Sequence, residues 1–150
     1  MSVDDVIARK AALSDTTVIT SLLIELGCNV EEAEVRRRMA PLLVSEADRV
    51  FVAELDGRIV GLISIHVAPL LHRDALGRIT AFIVTQDLRG QGIGMKLLAE
   101  AEKWAIEKGC SQVELNSGDH HQPAHAFYKN RGYRTDDRRF LKEDEALNNS

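Results

Sequence analysis

The nine residues Leu88-Arg89-Gly90-Gln91-Gly92-Ile93-Gly94-Met95-Lys96 place three alternating glycines directly before a helical pattern. That pattern covers about Gly92–Lys108, where Ile93, Leu97, Ala101, Trp104 and Ala105 keep helical spacing, with Leu98 beside them. A helix start leaves unpaired N–H donors carrying partial positive charge. Gly90, Gly92 and Gly94 remove the side chains that would block a phosphate and permit positive φ. Arg89 adds a cation suited to phosphate oxygens. The segment is therefore expected to cradle a phosphorylated ligand, most simply a pyrophosphate.

Two familiar phosphate loops are excluded by spacing. The Walker pattern needs Lys followed by Ser or Thr, and Lys96 is followed by Leu97. The dinucleotide pattern needs a third glycine where Met95 stands. Glu114 lies at about the right distance for a ribose contact, but its strand has no second βαβ unit beside it.

Outward from the loop, the elements follow from periodicity and punctuation. Val6–Ala11 reads as a strand. Ser14 or Asp15 opens a helix to about Leu26, stopped by Gly27. A second helix runs from about Val30 to Leu43, with Glu31, Glu32 and Glu34 early and Arg36–Arg38 later, as the helix dipole favours. Arg49–Leu55 and Arg58–Val67 are strands joined by the hairpin dipeptide Asp56-Gly57. A loop through Pro69 and Gly77 leads to a strand at about Arg78–Thr85. Gly109 ends the helix after the glycine loop, and Gln112–Asn116 is a strand. Pro123 opens a short helix closed by Gly132, and Tyr133–Leu141 is a last strand. The order β-α-α-β-β-β-α-β-α-β describes an α/β (α+β) protein with a mixed, mostly antiparallel sheet flanked by helices. With no repeat or linker, residues 1–150 are expected to form a single domain, and the tail Lys142–Ser150 to fray.

Composition bounds the partners. The chain has 150 residues, 45% hydrophobic and 28% charged, with a formal net charge of −4. That charge speaks against general nucleic-acid affinity and weakly favours cationic ligands such as amines. No signal peptide or membrane span is expected, so the reading is cytoplasmic, with Cys28 and Cys110 as buried free thiols.

Arg89-Gly90-Gln91-Gly92-Ile93-Gly94 resembles the Arg/Gln-x-x-Gly-x-Gly/Ala motif of the GCN5-related N-acetyltransferase superfamily. Ile79–Val84 is similar to that family's central strand. Ala126-Phe127-Tyr128-Lys129-Asn130-Arg131-Gly132-Tyr133 resembles its closing helix-strand segment. The resemblance implies the acyl-CoA N-acyltransferase fold, with acetyl-CoA as donor and the loop from Arg89 to Gly94 holding its pyrophosphate. It implies that backbone groups near Ile83 and Val84 bind the pantetheine arm, with an N–H there polarising the thioester carbonyl. Asn116, at the end of the neighbouring strand, is placed to bond the arm or simply to enter a turn.

Amine acetylation needs a neutral amine, a stabilised oxyanion and a protonated leaving thiolate. Tyr128 is the candidate acid by resemblance, for a phenol near pKa ~10 gives its proton to a thiolate near ~8.5 at little cost. Ala124, Phe127 and Tyr128 share a helix face; Phe127, Tyr133 and Phe140 read as core aromatics. An alkylamine of pKa ~10.4 is only about 0.04% neutral at pH 7, a deficit of roughly 4.6 kcal/mol. Where relatives carry a carboxylate base, this chain has Thr80 and Ala81. The alternatives are His66 and the cluster His120, His121 and His125, with His120 first because it follows the strand carrying Asn116. Glu114 and Asp119 are further carboxylates near that edge. His121 and His125 flank Pro123 and lack a third ligand, so no metal is expected.

The sequence therefore points to an acetyl-CoA-dependent N-acetyltransferase acting on a small-molecule primary amine. A protein N-terminus or lysine as acceptor is an alternative, and a non-catalytic acyl-CoA sensor is another. The acceptor surface is expected from the first two helices and from the His66–Gly77 and Gly118–Gln122 loops, which carry Arg37, Arg38, His72, Arg73, Asp74 and Asp119. The resemblance also admits a homodimer through an exposed strand edge.

Overall fold

The computed structural model describes residues 2–116, 122–135, 140–143, 145 and 147. Its elements are β1 (Ile7–Lys10), α1 (Thr16–Leu26), α2 (Glu32–Val44), β2 (Asp48–Leu55), β3 (Arg58–Ala68), β4 (Leu76–Val84), α3 (Ile93–Glu107), β5 (Gln112–Leu115) and α4 (Gln122–Asn130). Contacts divide the chain into two compact units, 1–116 and 117–150. The expected order holds through α4. Of the last expected strand, 133–135 and 140–141 are not strand, and 136–139 lie outside the described residues.

Local chemistry accounts for the boundaries. The Asp15 carboxylate accepts the Ala12 N–H at 2.8 Å, fixing the turn that starts α1. Gly27 ends α1 at φ 109°, and the N–H groups of Gly27 and Cys28 cover the Ile24 and Leu23 carbonyls. Glu34 reaches back to the Glu31 N–H at 3.0 Å and opens α2. Asp56 and Gly57 both take positive φ, 50° and 80°, as the right-handed twist of a two-residue hairpin demands.

The five strands lie in the order β1-β2-β3-β4-β5. All neighbours are antiparallel except β4 and β5, which α3 joins as a parallel crossover. One face carries Val50, Val52, Leu62 and Ile83 against Ile19, Leu22, Val35 and Met39 of α1 and α2. The other receives α3, whose Leu97, Leu98, Ala101 and Ala105 are fully buried. Two strand glycines let α3 approach. A Cβ on Gly61 would lie 2.9 Å from Leu97 Cδ1, and one on Gly77 would lie 3.2 Å from Ala105 Cβ. Gly77 thus belongs to β4, not to the preceding loop; what fixes it is the close helix contact.

Three further expectations are corrected. Cys28 is exposed, because it follows the left-handed turn at Gly27 outside the core. Cys110 is half-buried, and desolvation pushes its thiol pKa up. Phe140 is 97% exposed and is no core residue.

Where β4 parts from β5

Pairing between β4 and β5 runs from Leu76↔Gln112 to Ile79↔Leu115 and stops, while β4 continues to Val84. At the same level the β3 register skips: Ser64 faces Ala81 and Ile65 faces Ile79, leaving Thr80 as the bulged residue. A bulge sharpens the local twist and so turns β4 away from its neighbour. Along the upper part of β4, the Thr85 N–H donates to the Val60 carbonyl at 2.9 Å. Alternation then turns the Ile83 peptide groups toward β3 and those of Val84 toward the opened edge. The Val84 carbonyl accordingly takes the Arg89 Nε at 2.9 Å.

Candidate active site

Beyond Val84 the chain is clamped before it reaches the glycines. The Gln86 N–H is accepted by Glu25 Oε1 at 2.7 Å, so the end of α1 holds the start of the turn. Arg58, just after the hairpin, donates two bonds to Asp87 at 3.1 and 3.2 Å. That guanidinium holds the Asp87 carboxyl below the usual carboxylate range and answers its charge beside the loop. Arg89 is anchored to Val84 and lies 3.8 Å from Glu25, so its cation is fixed at the loop entrance.

Gly90 and Gly92 adopt φ of 80° and 90°. Gly94 lies in the first turn of α3 with ordinary helical φ, so its contribution is the missing side chain. Gly92 is the N-cap of α3 and offers no side-chain acceptor. The first intrahelical bond runs from the Lys96 N–H to the Gly92 carbonyl at 3.2 Å. The N–H groups of Gly92, Ile93, Gly94 and Met95 therefore have no partner among the described residues. The Lys96 ammonium is bonded to the Val6 carbonyl, tying the N-terminal segment to α3. A Cβ on Gly92 would lie 3.4 Å from Val3 Cγ2. Free donors, a helix dipole and two backbone turns open only to glycine make a nest that fits a diphosphate.

In the second unit, Phe127, Tyr128 and Tyr133 form an edge-to-face series with centroids 5.4 and 6.1 Å apart. Gly132 at φ 91° turns the chain so that the Tyr133 N–H returns to the Tyr128 carbonyl at 3.0 Å. Tyr128 is half-buried, and desolvation pushes its phenol pKa up.

The fold brings Val84, Arg89, Gly90, Gln91, Gly92, Ile93 and Gly94 together in the first unit. Asn116 is exposed and directly follows the last β5 residue paired with β4. His120, His121, Asp119 and the side chain of Ala124 lie outside what is described. Among the described residues, no three His, Cys, Asp or Glu side chains converge as a metal site. No helix among them is long and apolar enough to cross a membrane.

The sequence profile of the acetyltransferase (GNAT) family matches residues 18–133. The chain belongs to this family. Acetyl transfer is thus its class of activity, and the matched span includes the open donors at Gly92–Met95. The chain is 34% identical over 136 residues to the aminoalkylphosphonate N-acetyltransferase of Salmonella typhimurium, covering 89% of this chain and 88% of the relative. It is 32% identical over 108 residues to the glucosamine 6-phosphate N-acetyltransferase of Trypanosoma brucei brucei, covering 71% and 68%. An aminoglycoside N-acetyltransferase solved in complex with CoA shares the fold at TM-score 0.83 and 14% identity, over 93% of this chain and 94% of that one.

Sequence reading missed two sets of residues. One is the clamp of Glu25, Arg58 and Asp87 around the loop. The other is Asp48 and Arg78, the partners that complete a row across the lower sheet with the expected His66 and Glu114: Asp48 faces His66, His66 faces Arg78 and Arg78 faces Glu114. Both depend on strand register between distant segments, which no local pattern reveals.

Proposed function

We propose that this GNAT protein moves the acetyl group of acetyl-CoA to the primary amine of a small molecule by direct attack, with residues 1–150 acting as one catalytic domain. The observation that carries the reading is the run of open N–H donors at Gly92–Met95 beside a β4 edge that β5 no longer covers. The donors take the pyrophosphate. The Val84 peptide, turned to the opened edge, pairs with the pantetheine arm and directs the thioester toward Thr80. The peptide groups of Ile83 face β3, so its contribution to that edge is structural, while Asn116 borders the same opening. The two relatives act, by their names, on amines that also bear a phosphorus oxyanion, which supports a small acceptor of that kind.

The amine lone pair attacks the thioester carbonyl carbon, and the C–S bond breaks. The thiolate takes a proton from Tyr128, whose phenol is protonated at neutral pH and held so more firmly by burial, and the proton the nitrogen sheds as the amide forms restores the phenol. The ammonium must first lose a proton to an imidazole. His120 is the residue favoured by sequence for that step, and His66 is the imidazole whose surroundings the fold defines.

The test is CoA release over an amine panel by wild type and Tyr128→Phe. Turnover with small amines, reduced in the variant while acetyl-CoA still binds, supports the reading. Acetyl-CoA binding without turnover of any amine, peptide amines included, would replace it with a sensor.

A further inference from the structure

We infer that His66, held by Asp48, is the group that takes the proton from the acceptor ammonium, on the sheet face opposite α3. The inference rests on the N-acetyltransferase reading.

The argument begins with the two faces of the sheet. Helix α3 and the glycine nest at its start occupy one face. On the other, the apolar core shared with α1 and α2 reaches Val50 on β2 but only Leu62 on β3 and Ile83 on β4. Below that level Ser64 and His66 are half-buried and Thr80 and Arg78 exposed, a polar shelf beside the point where β5 leaves β4. An acceptor approaching from this face meets the thioester without crossing α3.

The imidazole on that shelf is oriented by a chain of bonds. His66 Nδ1 lies 2.8 Å from Asp48 Oδ1. The other Asp48 oxygen accepts the Ser45 hydroxyl at 2.8 Å, and Ser45 Oγ accepts the Ala47 N–H at 3.1 Å. The Val67 N–H, next to His66, returns to the Ala47 carbonyl at 2.7 Å. A neutral imidazole donating from Nδ1 to this carboxylate presents the lone pair of Nε2 outward, the tautomer a proton acceptor needs. Asp48 then stabilises the imidazolium formed. Arg78, the neighbour across β4, opposes that charge, but its Nε is bonded to Glu114 at 2.6 Å. The balance of Asp48, Arg78 and Glu114 around His66 is one net negative charge.

The reach is adequate. His66 lies two residues, roughly 6–7 Å, along β3 from Ser64, which pairs with Ala81 at the bulge. The Thr80 hydroxyl, bonded to the Ser64 carbonyl at 3.3 Å, lies between these levels. With the ring held toward β2 by Asp48, the gap is bridged through water. The step balances: R–NH₃⁺ and neutral His66 give R–NH₂ and imidazolium, which returns its proton to solvent after product leaves.

The experiment compares kcat/KM against pH for wild type, His66→Gln, Asp48→Asn and His120→Gln, using a panel of aminoalkyl phosphonates and amino-sugar phosphates. His66→Gln is expected to lose about 10²-fold or more at pH 7. It should also lose the acidic limb of the profile, close the gap as pH approaches the amine pKa, and recover partly with added imidazole. Asp48→Asn should show a smaller loss, because the ring is no longer held in the accepting tautomer. Acetyl-CoA should raise the melting temperature of each variant as it does that of wild type. A wild-type profile in His66→Gln, or the same losses in His120→Gln instead, overturns the assignment. No turnover of any amine by wild type overturns the transfer reading beneath it.

Discussion

Replacing Gly61 by alanine is expected to lift α3 from the sheet. The new Cβ would lie 2.9 Å from Leu97 Cδ1, 3.3 Å from the Ile83 carbonyl oxygen and 3.5 Å from Ala53 Cβ. Leu97 has no exposed surface, so its tip has no open space to enter. Overpacking of this kind costs about 1–3 kcal/mol. The less flexible unfolded chain returns about 0.4–1 kcal/mol. The net loss is therefore about 0–2.6 kcal/mol, centred on about 1.3, or roughly 3–5 °C in melting temperature at the centre for this chain length. Urea titration should show a lower midpoint with an unchanged slope. Leu97→Ala alone should cost about 2–5 kcal/mol. The double variant should cost less than the sum, by about 1 kcal/mol, since the cavity receives the new methyl. Strictly additive costs in the double variant would refute the claim that this contact sets the distance between α3 and β3.

Asp15→Asn should destabilise by about 1–3 kcal/mol at pH 7, since the nearly buried carboxylate accepts two bonds from Arg9 at 2.9 Å. The Arg9 bonds hold the Asp15 pKa below its ordinary value, so this stability is present above about pH 4 and is lost as pH falls through the lowered pKa. Chemical denaturation from pH 7 to 3 should show the gap between wild type and variant narrowing at the acid end. For Tyr128, a raised pKa places the loss of the acid above about pH 10. Rate profiles with acetyl-CoA should therefore show an alkaline limb that Tyr128→Phe lacks.

How far the sequence reached follows from how local each determinant is. Gly27, the Asp56-Gly57 turn and Gly92 act through their own φ, and each marks the expected boundary. The crossover β4–α3–β5 follows from element order. Gly77 reads as loop because its reason for being a strand glycine is Ala105, far along the chain. Arg89 was recognised as a cation, but its anchoring by Val84 and Glu25 needed the folded loop. Cys28 and Phe140 were read as buried from residue type alone, and type says nothing of a position outside the core. The Asp48–His66 pair depends on a register that only the hairpin sets.

The central claim is that backbone donors at the start of α3 hold the diphosphate of acetyl-CoA. Its most direct measurement is the acetyl-CoA dissociation constant by calorimetry for wild type and Gly92→Val. A valine at φ 90° incurs about 1–2 kcal/mol of backbone strain, and its Cβ begins 3.4 Å from Val3. The loop is expected to relieve both by leaving the nest geometry, weakening binding about tenfold or more while the fold persists. An affinity equal to wild type would contradict the account.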